Sequence, residues 1–300
     1  MLAQDYPGPL EVVLALGPSH DLTDDVAAGL VAADGRVRTV PNPTGRTPEG
    51  LNAAIAASSH PVVARVDGHS SLPPGYLRTA VTLLDRTGAD NVGGLMWAEG
   101  VTDVEQAVAR AMTSKLGVGN ARFHVGGEEG PADTVYLGVF RRSALERVGG
   151  YDVSFTRAQD WEMNFRIRET GGLVYFTPQL RVSYRPRPSL PALARQYFHY
   201  GRWRREVMRE HPESVNLRYL APPLAVLGFV GGLIAGIFWW PAFALPVGYL
   251  VLVVAGAQVI GGGLSWRARL VLPAVLATMH GAWGSGFLSS ISLRRSAGRR

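Results

Sequence analysis

Two short runs in this chain of 300 residues carry groups that could do chemistry together. The first, Val62-Val63-Ala64-Arg65-Val66-Asp67-Gly68-His69, reads as a buried strand that brings a carboxylate and, two residues on, an imidazole to its C-terminal end. Asp and His at i and i+2 across a turn can face one divalent cation, and a hard cation such as Mg2+ or Mn2+ clamps a diphosphate. The bland reading of the same residues is an Asx-type turn with an incidental His. The second run, Gln159-Asp160-Trp161, puts a carboxylate at the start of a predicted helix, where the macrodipole favours its ionised, proton-accepting form. Capping that helix is the alternative role for Asp160. Arg46, in Asn42-Pro43-Thr44-Gly45-Arg46, either reaches a phosphate from a loop shaped by Gly and Pro or stands in solvent. Trp161 and Trp203 offer flat apolar faces to carbohydrate C–H groups, and Trp203 is also near enough to the apolar C-terminal segments to serve at a membrane interface.

The elements that must position these residues alternate. Leu10–Leu16, Val37–Val40 and Val62–Val66 read as short strands, and Asp24–Ala33, Leu51–Ala57 and Pro74–Thr87 as helices, at the spacing of βαβ units. The pattern predicts a doubly wound α/β sheet that binds its ligand beyond the C-terminal strand ends, at Gly17-Pro18-Ser19, Pro41-Asn42 and Asp67-Gly68-His69. After Asp90–Gly94 the order is less regular. Helices are expected at Val104–Leu116, Arg142–Val148, Gln159–Thr170 and Leu190–Glu210, and strands at Thr134–Phe140, Leu173–Phe176 and Leu180–Tyr184.

Charge divides the chain. No Asp, Glu, Lys or Arg occurs from Tyr219 to Trp266 or from Leu270 to Leu293. Each run can supply the roughly 20 apolar residues that cross a bilayer. We place spans at Leu220–Trp240, Phe243–Ile260 and Leu270–Leu293, the last a span or a re-entrant segment, with Gly228, Gly232 and Gly236 on one helical face. The net charge of +6 does not point to nucleic acid, because seven Arg and no acids lie beyond residue 216, while the residues before hold 23 basic and 24 acidic side chains. Arg181–Arg209, with eight Arg against Glu206, suits anionic lipid head groups or phosphate. There is no Cys, so disulfides and thiolate metal sites are excluded. No secretory signal is visible at Met1, which leaves the first part of the chain on the cytoplasmic side of a membrane.

In order, Asn42-Pro-Thr-Gly-Arg-Thr-Pro-Glu-Gly-Leu-Asn52, Arg65–His69, Val148-Gly-Gly-Tyr-Asp152, Gln159-Asp-Trp-Glu-Met-Asn-Phe-Arg166 and Gln196-Tyr-Phe-His-Tyr-Gly-Arg-Trp203 resemble the family 2 glycosyltransferases. More narrowly, they resemble the subgroup that assembles succinoglycan-type exopolysaccharides. The resemblance covers residues 2 to about 205 and implies a GT-A (Rossmann-like) nucleotide-sugar-binding domain over 1–205. A juxtamembrane linker at 206–218, transmembrane helices over 219–293 and a basic tail at 294–300 complete the expected order.

The resemblance implies an inverting transfer, with Asp160 as the base that takes the acceptor proton. Asp67 and His69 stand at the family's Asp-x-Asp motif and so at a divalent metal, Mn or Mg, with His in the place of the second Asp. Ser19, Asp21, Arg46, Asn52 and Asp67 fall to the nucleotide-sugar, a UDP-sugar, and Gln159, Trp161, Gln196, Arg202 and Trp203 to the acceptor and diphosphate. The expected acceptor is lipid-linked or a growing polysaccharide, at a multi-pass protein of the inner membrane. The family's opening βα unit, roughly 30 residues, has no counterpart here, so the domain is expected to lack its first strand. Leu16 replaces a carboxylate that the family has at the end of the next strand. A polyprenyl-phosphate sugar synthase and a non-catalytic membrane subunit with a degenerate donor site are the alternatives.

Overall fold

The computed structural model describes residues 1–68 and 70–289, so His69 and the expected basic tail lie outside the described residues. In chain order come β1 (Val12–Leu16), α1 (Thr23–Ala33), β2 (Val37–Pro41), α2 (Thr47–Ala57), β3 (Val62–Ala64), α3 (Tyr76–Thr87) and β4 (Asn91–Ala98). There follow α4 (Asp103–Met112), the single turns α5 (Lys115–Val118) and α6 (Arg122–Val125), β5 (Gly130–Pro131), β6 (Tyr136–Arg141), α7 (Arg142–Arg147), α8 (Gln159–Glu169) and β7 (Val174–Tyr184). Four longer helices follow: α9 (Leu190–Glu210), α10 (Ala221–Phe238), α11 (Ala244–Ile260) and α12 (Trp266–Leu288). Two compact units result, one of residues 1–96 and 126–183, the other of residues 97–125 and 184 onward.

In the first unit β1 and β2 form a parallel pair, Val12 opposite Val37 and Leu16 opposite Pro41. The remaining strands form a separate sheet in the order β3-β6-β4-β7-β5, with β6 antiparallel to both β3 and β4. The expected single doubly wound sheet is thus corrected, since Leu10–Leu16 and Val62–Val66 contribute to different sheets. Among the described residues no strand lies between them. Instead Val13 of β1 and Val62, Val63 and Ala64 of β3 line a mainly apolar, partly open cavity of about 290 Å3, with Ile55 of α2 and Val81 of α3 also on its wall. For the same reason β1 and β3 are half-buried, where their continuous apolar runs predict full burial. Behind β3 the core is continuous: Leu77, Ala80 and Leu84 of α3 pack on Val92, Val139 and Val182.

The second unit groups α4 and α9 with the apolar helices. Close packing explains the grouping. A Cβ on Gly201 of α9 would lie 2.0 Å from the Trp283 carbonyl oxygen, and one on Gly286 of α12 would lie 2.0 Å from that of Phe198, so the two helices touch backbone to backbone. Two stretches among the described residues are long and apolar enough to cross a membrane, Leu217–Phe238 and Trp240–Ile260. Only 17% of the most apolar stretch in each is buried, which is not the signature of a core helix. The expected third span is not among them. Instead α12 carries Arg267 and Arg269 near its start and buries Leu272, Val275, Leu276 and Met279. Gly232 and Gly236 meet Pro246 and Phe243 closely, while Gly228 meets nothing within 4 Å, so two of the three aligned glycines serve helix packing.

A capping box opens α4. The Glu105 carboxylate accepts from the backbone N–H groups of Thr102 (3.0 Å) and Val101 (2.9 Å) and from Arg185 Nε (2.9 Å). The Thr102 N–H and Arg185 pull the Glu105 carboxyl down to about 2. A group lowered in the folded state stabilises above its unfolded pKa, near 4.3, and loses that contribution as pH falls toward 2. Glu105→Gln should therefore flatten the acid side of the thermal-stability profile between about pH 4.3 and 2, measured in detergent. An unchanged slope there would remove Glu105 from the acid response.

Candidate active site

The chemistry-bearing residues of the first unit meet at the C-terminal end of β3. Arg65 and Asp67 follow β3 directly, two residues apart, and their side chains meet. Arg65 is a buried cation, 7% exposed, and its Nε and Nη2 both lie 3.0 Å from Asp67 Oδ1. Its Nη1 donates to Asp160 Oδ1, in the first turn of α8. One guanidinium therefore joins the two carboxylates singled out in the sequence, which stand 93 residues apart in the numbering. The Tyr151 ring lies under it, 5.9 Å from the guanidinium carbon to the ring centroid.

This geometry bears on the capping alternative for Asp160. The residue before α8 makes no side-chain cap, and among the described residues the Asp160 carboxylate accepts from Arg65 and from no backbone N–H of the helix. The residue before the helix, Ala158, instead takes a left-handed conformation with φ 59°. Such strain in a non-glycine residue costs on the order of 1 kcal/mol and gathers at functional sites. Burial pushes the Asp160 carboxyl above the usual carboxylate range, the Arg65 guanidinium pulls it back, and Asp67 pushes it up again. The net direction is upward, opposite to that expected from the helix dipole alone, because desolvation outweighs the N-terminal field.

Other expected site residues are engaged elsewhere. Asn52 donates to the Tyr151 carbonyl (2.8 Å) and accepts from the Tyr151 N–H (2.8 Å), so its amide clamps the loop that carries Tyr151. Arg46 donates to the Val153 carbonyl (2.5 Å) and pairs with Glu49 (2.8 Å), tying the start of α2 to the same loop. Trp161 is 7% exposed and stacks on Phe165 at 5.3 Å. Gln159 is half-buried as the first residue of α8. Ser19 donates to Asp21 Oδ1 (2.5 Å), which also accepts from the Thr23 N–H (2.9 Å), a local turn on the surface after β1. Those bonds from Ser19 and Thr23 hold Asp21 down at about 2, so it is anionic under all working conditions.

The remaining candidates lie on α9 of the second unit. Gln196 is buried and donates to the hydroxyls of Tyr184 (3.0 Å) and Tyr200 (2.8 Å). Arg202 is half-buried over the Phe198 ring, with no ion pair among the described residues. Trp203 is half-buried on the same helix. Arg205 and Arg209 have structural partners: Arg205 donates to the Phe287 and Leu288 carbonyls at the end of α12, and Arg209 pairs with Glu206.

The Asn52 clamp carries a prediction. Asn52→Ala should lower unfolding stability by about 1–3 kcal/mol, because it strands a buried carbonyl and N–H of Tyr151. Denaturant unfolding in detergent measures this, and a change below about 0.5 kcal/mol would mean that water replaces both bonds.

Residues 1–149 match the family model described as Glycosyl transferase family 2. The chain is also 32% identical over 285 residues to the succinoglycan biosynthesis protein ExoA of Rhizobium meliloti (strain 1021), a match that covers 92% of this chain and 84% of the relative. The chain belongs to glycosyltransferase family 2. Its fold is similar to that of the mannosyltransferase PcManGT from Pyrobaculum calidifontis, solved in complex with GDP-Man and Mn2+. That likeness has a TM-score of 0.55 at 19% identity and covers 93% of this chain and 80% of the other. It identifies a GT-A-like α/β fold.

Proposed function

We propose that this glycosyltransferase moves a hexose from a nucleotide-sugar, a UDP-sugar, with inversion onto a lipid-linked or growing exopolysaccharide acceptor. The observation that carries the reading is the convergence of Asp67 and Asp160 on Arg65. Asp67 Oδ1 and Asp160 Oδ1 face the guanidinium, and the Oδ2 atom of each accepts no hydrogen bond among the described residues. In this reading Asp160 Oδ2 takes the proton of the acceptor hydroxyl as that oxygen attacks the anomeric carbon, and the nucleoside diphosphate leaves from the opposite face. A single displacement needs one carboxylate base and no carboxylate nucleophile.

Asp67 fits a divalent cation. Its side chain is 24% exposed, its Oδ2 is open, and a hard cation at a diphosphate takes one or two carboxylates and fills its remaining positions from phosphate and water. No group of three or more metal-ligating side chains occurs among the described residues, so the protein's share is Asp67, with His69 as the sequence's second candidate. When bound, such a cation neutralises charge on the departing diphosphate.

Two further features support the membrane setting and the expected gap in the sheet. The apolar helices α10 and α11 suit a multi-pass inner-membrane protein with its transferase unit in the cytoplasm. The apolar cavity between β1 and β3 suits one further strand of the family's sheet.

The test uses the full chain in detergent or nanodiscs, with UDP-glucose, UDP-galactose and GDP-mannose as donors and a bacterial lipid extract as acceptor. Sugar should transfer from a UDP-sugar, and EDTA should stop it until Mn2+ or Mg2+ is restored. Transfer unaffected by EDTA would remove the metal from the reading. A product that is only a lipid monophosphate sugar would replace the acceptor proposed here.

A further inference from the structure

We infer that Arg65 is a positioning residue of the transfer reaction, a fixed cation that holds the base carboxylate of α8 and the diphosphate-facing carboxylate at the end of β3 at one set separation and turns the free oxygen of each toward the ligands. The inference rests on the roles proposed above for Asp160 and Asp67 and assigns a role to a residue that is neither of them. Three observations lead to it. Arg65 is buried, and buried arginines persist where they are paired. All three of its N–H contacts with these acids go to Oδ1 atoms, two to Asp67 and one to Asp160, so the guanidinium fork itself sets the spacing of the carboxylates. The fork is also braced from behind. Its backbone N–H donates to the Gly138 carbonyl (3.0 Å), which extends the β3–β6 ladder by one residue, and its guanidinium lies over the Tyr151 ring.

A lysine cannot reproduce this. Its ammonium is a point charge on a flexible stem, able to reach one carboxylate with good geometry but not to fix two at once. A glutamine removes the charge and ends where the arginine Nε stands, so it loses the Nη1 contact with Asp160 and the Nη2 contact with Asp67. The loss should therefore fall on turnover more than on donor affinity, because the reacting groups remain present but are no longer held in register.

The experiment compares Arg65→Lys, Arg65→Gln, Asp160→Asn and the double variant Arg65→Gln with Asp160→Asn, in the full detergent-solubilised chain. The donor is the nucleotide-sugar on which the wild type turns over. Arg65→Lys should lose about tenfold in kcat and Arg65→Gln about a hundredfold, with donor KM within about threefold of wild type. The double variant should lose less than the product of the two single losses, since Arg65 acts in part through Asp160 and in part through Asp67, whereas an independent structural loss would multiply in full. Should Arg65→Gln fail to fold, Arg65→Lys and its split between kcat and KM carry the test. Wild-type kcat in both Arg65 variants, with Asp160→Asn inactive, would overturn the inference and leave the proposed function standing. An active Asp160→Asn would overturn the proposed function itself.

Discussion

Asp160→Asn should lower sugar transfer by about 10^2–10^4-fold, the range set by loss of a general base, while nucleotide binding stays within about threefold of wild type. The substitution is suited to the site because the new amide oxygen can still accept from Arg65 Nη1. The buried guanidinium would thus keep a partner, and the first unit its fold. What disappears is the anion able to accept a proton. The wild-type pH profile supplies a second readout. Burial raises the Asp160 carboxyl, so on acidification it is protonated, and stops accepting, at a pH above the ordinary Asp value of about 3.9. The acid limb of kcat should accordingly lie above that value in the wild type and be absent from the residual rate of Asp160→Asn. Near-normal turnover in Asp160→Asn would show that another group takes the proton.

The sequence exposed the two carboxylates but not what joins them. Arg65 was open to an alternation argument, because residues i and i+2 of a strand share a face and Asp67 is two residues on, and a lone Arg within Val-Val-Ala-Arg-Val is unusual for a buried run. Its partner Asp160 is beyond any local argument, since only the fold brings β3 and α8 together. The same distance explains Asn52, Arg46 and Trp161. Each has the chemistry to touch a sugar or a phosphate, and each is taken by a partner within the fold, Asn52 by a backbone 99 residues away. The strands and helices before Thr87 were legible from their apolar runs, to within a few residues at the ends. Strand β4 was not, because Gly93-Gly94 reads as a loop. In the folded chain the two glycines mark a register shift against β6 between Val92 and Gly94, so they serve close approach of strands. The apolar helices declared themselves by length and lack of charge, but which of them pack inward was decided by the small residues of α12 and α9, a tertiary matter.

That close approach can be tested by a pair of glycine substitutions with opposite signs. A Cβ on Gly94 would lie 1.9 Å from the Leu180 carbonyl oxygen and 2.6 Å from that of Thr177, both backbone atoms of β7. No rotamer change relieves such an overlap, so β4 and β7 must separate. Overpacking that a core can absorb costs about 1–3 kcal/mol, and a forced backbone shift should reach or exceed the upper end of that range. The damage would travel to the site, because β4 supports β6, and β6 pairs with β3 next to Arg65 and Asp67. Gly29, inside α1, is the control. A Cβ there meets nothing within 4 Å and its backbone is helical, so Gly29→Ala should stabilise by about 0.5–1 kcal/mol through helix propensity and a less disordered unfolded chain. Denaturant unfolding in detergent should give Gly94→Ala a loss of at least about 3 kcal/mol, together with loss of transfer activity. If Gly94→Ala unfolded within about 1 kcal/mol of wild type, β4 and β7 could not be in backbone contact, and the sheet that holds Arg65 against Asp160 would have to be built another way.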